Sequence, residues 1–260
     1  MLLVVDIGNT TADIGIFNDG DLYVKWNIAT DVHKSPDEYA VILLNLIERA
    51  GINLQDIEHV VICCVAPPLE YVFSELCKRY LNISPLIVEP GVRTGINIRI
   101  DSPREVGPDR IVNAVAGHHL YGGPLIVIDL GTATTFDIIS ERGDYLGGAI
   151  APGIKTAAES LFERTAKLPR VELVRPKNVI GRDTVSAMQS GFVFGYVGLI
   201  EGLIYRIQQE LGGKKCRVIA TGGYADLLAR ETSVIDTVFP HLSLTGLRLI
   251  HELNAGRKNG

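Results

Sequence analysis

The chain lacks the short signatures that mark the commonest nucleotide-binding proteins. It has no GxxxxGK[ST] run, and the nearest glycine–lysine cluster, Gly212-Gly213-Lys214-Lys215, is missing the upstream glycine. It has no GxGxxG fingerprint either. P-loop NTPases and dinucleotide dehydrogenases are therefore both disfavoured. Cysteine is scarce: Cys63, Cys64, Cys77 and Cys216 form no CxxC pair. They read as inert core thiols in a reducing cytoplasm. Excess positive charge is absent as well. The net charge of −5 argues against a nucleic-acid surface, and the only basic run, GRKNG at the tail, reads as a solvated end. No apolar run reaches the roughly 20 residues of a membrane span. The N-terminus enters an apolar strand at once, so no secretory leader is expected. Histidines with metal-ligand spacing are missing too, and His118 and His119 read as surface or packing residues. What remains is a 260-residue chain, 47% hydrophobic and 21% charged, of the kind that buries a sizeable core without staples.

What the chain does have is one phrase written twice. VVDIGNTTADIGIF begins at Val4, and VIDLGTATTFDII begins at Val127. Each is an apolar strand ending in Asp, then Gly, then small hydroxyl or amide residues, then a second strand. The aspartates are Asp6 and Asp129, 129 − 6 = 123 residues apart. A repeat of that length implies two related halves. A glycine–threonine turn between strands is a backbone cradle for phosphate, and two such cradles facing each other suggest a nucleotide between them.

The flanking sequence alternates strands and helices, which predicts an α/β fold. The first half opens with strands joined by GNTT and NDGD turns. A helix capped by Ser35-Pro36 runs to Gly51. Strand HVVICCV, an amphipathic helix and strand PLIVEP follow. Residues 94–110 are rich in turn formers and make a functional-loop candidate. A helix over IVNAVAGHHLYG leads into the second half, which repeats the plan. A helical region broken by glycines is expected over 184–213, then strand KCRVIATGG and a last helix over TGLRLIHELN. The expected division is 1–117 and 118–260.

Three places carry chemistry. Gly8 lets a phosphate approach the backbone, and Asn9, Thr10 and Thr11 offer amide and hydroxyl donors. Asp6 needs Mg²⁺ or a water between itself and phosphate; alone it would also pass for an ordinary turn former. Asp129, with Gly131 and Thr132, could ligate a cation and a phosphate oxygen, while Asp137 reads as structurally paired. Gly107-Pro108-Asp109-Arg110 forms a stiff turn that aims a carboxylate, with a guanidinium beside it for an anionic substrate group; Asp109 also suits a helix N-terminus. Thr221-Gly222-Gly223, between a strand and a helix, is a plausible place for a nucleoside.

The motifs DxGNT, GPDRIVNAVA (107–116), DLGTATTFD (129–137), GGAIAPG (147–153), RTAKLP (164–169) and ATGG (220–223) come in the same order as in the type III pantothenate kinases, and the chain resembles that family, also known through Bvg accessory factors, from residue 3 to about 245. The resemblance implies two ribonuclease-H-like halves of the actin-like ATPase superfold shared by acetate and sugar kinases, Hsp70 and actin. It implies ATP-dependent phosphorylation of pantothenate, the first step toward coenzyme A, by a cytoplasmic homodimer. It assigns ATP to Asp6, Ile7, Gly8, Asn9, Thr10, Thr11, Ala12, Asp13 and Thr132. Pantothenate falls to Gly107, Pro108, Asp109, Arg110 and, across a dimer interface, Thr184, with Asp109 as the base. Mg²⁺ accompanies ATP, and a monovalent cation, K⁺ or NH₄⁺, falls to Asp129. Ile100 stands where several relatives carry a substrate-touching Tyr, and Pro108 replaces a common Ala. The competing reading is a non-catalytic, nucleotide-binding regulator of gene expression. The apolar stretch 186–202, with Phe192, Phe194, Tyr196, Val197 and Leu199, reads as the dimer helix, or else as a buried helix of the second half.

Overall fold

The computed structural model describes residues 1–255, so the basic tail run lies outside the described residues. The described chain forms two compact units. One comprises 1–96, 101–116 and 242–255; the other comprises Asn97–Ile100 and Gly117–His241.

In the first unit, β1 (Leu2–Ile7), β2 (Thr11–Asn18) and β3 (Asp21–Ala29) form an antiparallel meander. The β2–β3 turn places Asp19 and Gly20 at positive φ, as an Asp-Gly hairpin requires. Helix α1 (Pro36–Arg49) starts at a capping box: Ser35 and Glu38 satisfy each other's backbone N–H groups. It buries Tyr39, Ala40, Leu43 and Ile47. Strand β4 (His59–Cys64), helix α2 (Pro67–Leu76) and the short β5 (Leu86–Ile87) complete the order β3-β2-β1-β4-β5.

The loop expected over 94–110 contains β6 (Asn97–Ile98) and leads into α3 (Pro108–Tyr121), which starts earlier than its apolar run. The second unit has β7 (Leu125–Leu130), β8 (Ala133–Ile139), β9 (Asp144–Pro152), α4 (Ile154–Glu163), α5 (Thr184–Glu210), β10 (Arg217–Thr221), α6 (Ala225–Ala229) and β11 (Thr237–Val238). Its sheet order is β11-β10-β7-β8-β9-β6. Read from the meander inward, β9-β8-β7-β10-β11 repeats β3-β2-β1-β4-β5. The 123-residue repeat is thus a repeat of topology, with β6 added at one edge.

The last helix, α7 (Leu242–Ala255), belongs to the first unit. The division therefore differs from 1–117 and 118–260: the chain returns after His241. The reason lies in the pleat. Leu3, Val5 and Ile7 join the core beneath α1 and α2. Leu2, Val4 and Asp6 point to the opposite face, which needs its own cover. α7 supplies it: a side chain at Gly15 would sit 3.1 Å from Leu244 and 3.4 Å from Val4.

α5 differs from expectation in two ways. It is one uninterrupted helix, because Gly191, Gly195 and Gly198 lie on its open side and leave the hydrogen-bond ladder intact, at a helix cost of about 1 kcal/mol each. It is also long and apolar enough to cross a membrane by length and composition, contrary to the expectation that no segment was. Its Phe192, Val193, Tyr196, Val197, Ile200 and Ile204 form the core of the second unit instead. The apolar character of 186–202 is thereby accounted for by burial, with Phe194 and Leu199 partly buried against the same core.

Candidate functional site

In the first unit, β1 ends at the turn that carries Gly8. The Gly8 N–H donates to the Thr11 carbonyl at 2.9 Å, and a Cβ at Gly8 would lie 3.0 Å from that oxygen. Asn9, Thr10 and Thr11 are exposed at the tip. Ile7 and Ala12 are fully buried, so only their backbone is available to a ligand. Asp13 faces Asp6 across the β1–β2 ladder and accepts from Asn27 Nδ2 at 2.8 Å.

Asp6 gathers the chemistry of this unit. It pairs in register with Cys63 on β4. Desolvation pushes its carboxyl up to about 7; the nearby Ser243 and Cys63 side chains oppose that shift, while the Asp109 and Asp13 carboxylates reinforce it. Two like charges thus lie near it. Asp109 stands in the first turn of α3, where the Arg110 N–H bonds to the Gly107 carbonyl at 3.1 Å. Burial raises the Asp109 carboxyl as well, and its interactions with Arg110 oppose the rise. Gly107 is glycine for a visible reason: a Cβ there would fall on Asp109 Oδ1. The structure therefore brings Asp6, Asp13, Gly107, Pro108, Asp109 and Arg110 together in one unit.

The second unit carries its own turn. Gly131 N–H donates to the Ala133 carbonyl at 3.1 Å, and Thr132 is exposed. The start of α4 presses against this turn. Gly153 N–H donates to the Thr132 carbonyl at 3.0 Å, Thr156 Oγ1 donates to the same oxygen at 2.7 Å, and a Cβ at Gly153 would strike the Gly131 and Thr132 carbonyls. Thr221 pairs in register with Asp129, and Gly222, at φ +93°, sits so close that a Cβ would be 2.6 Å from Asp129 Oδ1. The TGG turn thus abuts the Asp129 turn. Asp137 is structurally paired, as expected: it is fully buried, with the Tyr145 hydroxyl 2.7 Å away. Thr184 is the exposed first residue of α5, behind an Asp183–Ser186 capping box.

Among the described residues no three His, Cys, Asp or Glu side chains converge as a metal-ligand set. Asp6 with its neighbouring carboxylates, and Asp129 with turn carbonyls and hydroxyls, are hard oxygen donors of the kind Mg²⁺ and alkali cations take, with further ligands to come from phosphate and water. All four cysteines are free, and burial raises each thiol, Cys64 to about 11 and Cys77 to about 12, which keeps them unreactive.

Sequence reasoning missed that Ser243 and Cys63 lie near Asp6. Ser243 lay in PHLSL, just ahead of the expected last helix. The structure starts α7 at Leu242 and so brings Ser243 near Asp6. No sequence signal marked it, since a lone Ser before a helix reads as a cap.

The family model for type III pantothenate kinases matches residues 2–206. Among solved structures, the chain is similar to a Campylobacter jejuni protein assigned to the Baf family of transcriptional activators (TM-score 0.60, 21% identity, 98% of this chain and 99% of that one). It is also similar to a Sinorhizobium meliloti protein assigned as a 2-dehydro-3-deoxygalactonokinase (TM-score 0.56, 11% identity, 100% and 98%). A third is the activator of 2-hydroxyisocaproyl-CoA dehydratase from Clostridium difficile, with bound ADPNP (TM-score 0.53, 13% identity, 100% and 97%). The fold is that of the actin-like ATPase and sugar-kinase superfold.

Proposed function

Since the chain belongs to the type III pantothenate kinase family, we propose that it transfers the γ-phosphoryl group of ATP to the hydroxyl of pantothenate, giving ADP and 4′-phosphopantothenate. The observation that carries this reading is the pair Gly107 and Asp109. A glycine that leaves room for a carboxylate, on a helix start beside Asp6, is what aiming a base requires.

The residues divide the work as phosphoryl transfer demands: positioning, charge neutralisation and acceptance of a proton. The Gly8 turn, with donors on Asn9, Thr10 and Thr11, receives phosphate oxygens, and Thr132 takes another part of ATP. Asp109 accepts the proton of the attacking hydroxyl. Arg110 pairs with the pantothenate carboxylate or the transferred phosphate. Mg²⁺, held through Asp6 and the nucleotide, would spread the developing negative charge; a monovalent cation would sit at Asp129.

We assign the protein to the cytoplasm as a homodimer. Gly191, Gly195 and Gly198 leave the outer side of α5 free of bulk, so a second backbone can approach it closely. Thr184, at the start of that helix, would reach the partner's pantothenate. Ile100 in place of a Tyr removes one hydroxyl from that pocket.

A second reading, a nucleotide-binding regulator, rests on the description of the Campylobacter jejuni relative as a transcriptional activator. A regulator has no use for Asp6, Asp109 and Asp129 together, which favours the enzyme. ADP release measured over a panel of hydroxy acids tests the reading: pantothenate should stand alone, and no release with any acceptor would favour the regulator.

A further inference from the structure

The two units repeat a row of side chains as well as a topology. Residues directly opposite one another on neighbouring strands share a sheet face. In the first unit the row through the end of β1 reads Cys63, Asp6, Asp13 and Asn27, from β4 across β1 and β2 to β3. In the second unit the equivalent strands give Thr221, Asp129, Thr135 and Ile150. Matching the two phrases by eye would set Asp137 against Asp13, since each is the aspartate that closes its phrase. The register does otherwise. The turn after β7 spans 131–132, against 8–10 after β1. Thr135 therefore stands opposite Asp129, and Asp137 stands opposite Val127.

This exchange changes the charge of the row. The first row holds two carboxylates, Asp6 and Asp13, which together balance an ion of two positive charges. The second row holds one carboxylate between two neutral hydroxyl residues, which balances an ion of one positive charge.

Thr135 is prepared for such an ion. Its hydroxyl donates to Asp137 Oδ2 at 3.3 Å, and the Tyr145 hydroxyl donates to Asp137 Oδ1 at 2.7 Å. Asp137 is fully buried, so it is shut away from an ion that arrives from solvent. What it fixes is a proton. A hydroxyl has one, and Thr135 turns it along β8 toward Asp137, away from the turn. The lone pairs of Thr135 are left on the side of Asp129, free to accept. Asp129 and Thr135 are both half-buried and within reach of solvent. Opposed Cβ atoms on neighbouring strands stand about 4.5–5.5 Å apart, a spacing at which a carboxylate and a hydroxyl can share one ion. The Gly222 backbone limits where that carboxylate can move, since a Cβ there would be 2.6 Å from Asp129 Oδ1.

We propose that Thr135 supplies a second oxygen, beside Asp129, to the monovalent cation, and that Asp137 is the positioning residue that aims it. The inference rests on the proposed reading of Asp129 as the cation ligand.

The test is calorimetric binding of the non-hydrolysable analogue ADPNP, with Mg²⁺, to the full chain as KCl replaces choline chloride at constant ionic strength. Thermal melting of the ligand-free protein runs alongside. Thr135→Val keeps the shape and loses the hydroxyl. It should raise the K⁺ concentration for half-maximal effect on the order of tenfold, the scale of a lost polar contact to a charged group. Thr135→Ser keeps the oxygen and should match wild type. Asp137→Asn should repeat the valine defect, because its amide can donate to Thr135 and turn the hydroxyl proton toward the ion. The double variant should be no worse than either single one, as two residues acting through one oxygen require. Ile138→Ala, on the same strand but in the core of the opposite face, should lower the melting temperature and leave the K⁺ requirement alone. The proposal falls if Thr135→Val or Asp137→Asn keeps the wild-type K⁺ requirement, or if Ile138→Ala raises it as Thr135→Val does. Wild-type protein that binds ADPNP equally well in choline alone would bring down the cation site at Asp129, and this inference with it, while the ATP site stands. Wild-type protein that binds no ADPNP would bring down the ATP site as well.

Discussion

Gly107 and Asp109 share one small space, because the carboxylate Oδ1 of Asp109 occupies the position that a Cβ on residue 107 would need. The flanking proline and the start of α3 leave the backbone few ways to yield. Gly107→Ala should therefore swing the carboxylate aside without unfolding the unit. We expect turnover to fall by about 10²-fold, the range in which a displaced general base operates. The dissociation constant for ATP should stay within a factor of about three. Steady-state kinetics beside nucleotide titration checks this; unchanged turnover would separate Gly107 from the chemistry.

Gly222 makes the matching demand in the second unit. Its φ of +93° and its contact with Asp129 both exclude a side chain. Gly222→Ala should destabilise the protein by about 1–3 kcal/mol. It should also weaken ATP binding or the monovalent-cation dependence, since Asp129 must move. Denaturant melts with and without ATP read both effects. A variant as stable as wild type, with normal cation dependence, would contradict the tight packing of the TGG turn on Asp129.

Burial of Asp6 predicts a pH dependence in protein free of metal and nucleotide. Desolvation pushes its folded carboxyl up to about 7, against 3.8 for an ordinary one. The folded state thus holds a proton that the unfolded chain has released. The contribution of Asp6 to stability is fully present below about pH 4 and is lost as pH rises toward 7. Asp6→Asn lacks this loss. Its stability relative to wild type should climb between pH 4 and 7 and level off above, by at most about 4 kcal/mol. Urea unfolding across that range measures it, and a difference independent of pH would place Asp6 in a more polar setting.

The open side of α5 distinguishes solvent from a partner. Among the described residues nothing lies within 4 Å of a Cβ at Gly195. Gly195→Arg should therefore fold, yet convert a dimer to a monomer if a second copy approaches there. Size-exclusion chromatography with light scattering reads the outcome. An arginine variant that stays dimeric would move the interface elsewhere and take the trans role of Thr184 with it.

The twofold plan of the fold was legible because it is written in the strands themselves: the DxG turns at Asp6 and Asp129 fall where two equivalent strand pairs meet. The place of Asp109 in the first turn of a helix was legible from Gly-Pro-Asp before an apolar run; its proposed part as the base came from the family resemblance. The return of α7 was not. It depends on the Val4 and Asp6 face needing cover, and only the register of β1 against β2 and β4 shows which face that is. The neighbourhood of Ser243 was hidden for the same reason, since Asp6 lies 237 positions earlier (243 − 6 = 237). The apolar α5 fitted both a dimer helix and a buried helix, because apolar composition reports that a helix is covered, and not by what.

The central claim is that this chain phosphorylates pantothenate with Asp109 as the base. The most direct measurement is mass spectrometry of the product formed from ATP, Mg²⁺, K⁺ and pantothenate by purified wild type and by Asp109→Asn. The account predicts stoichiometric 4′-phosphopantothenate from wild type, and a rate lower by about 10²–10⁴-fold from the variant with ATP binding intact. Phosphopantothenate formed at equal rates by both proteins, or by neither, would contradict it.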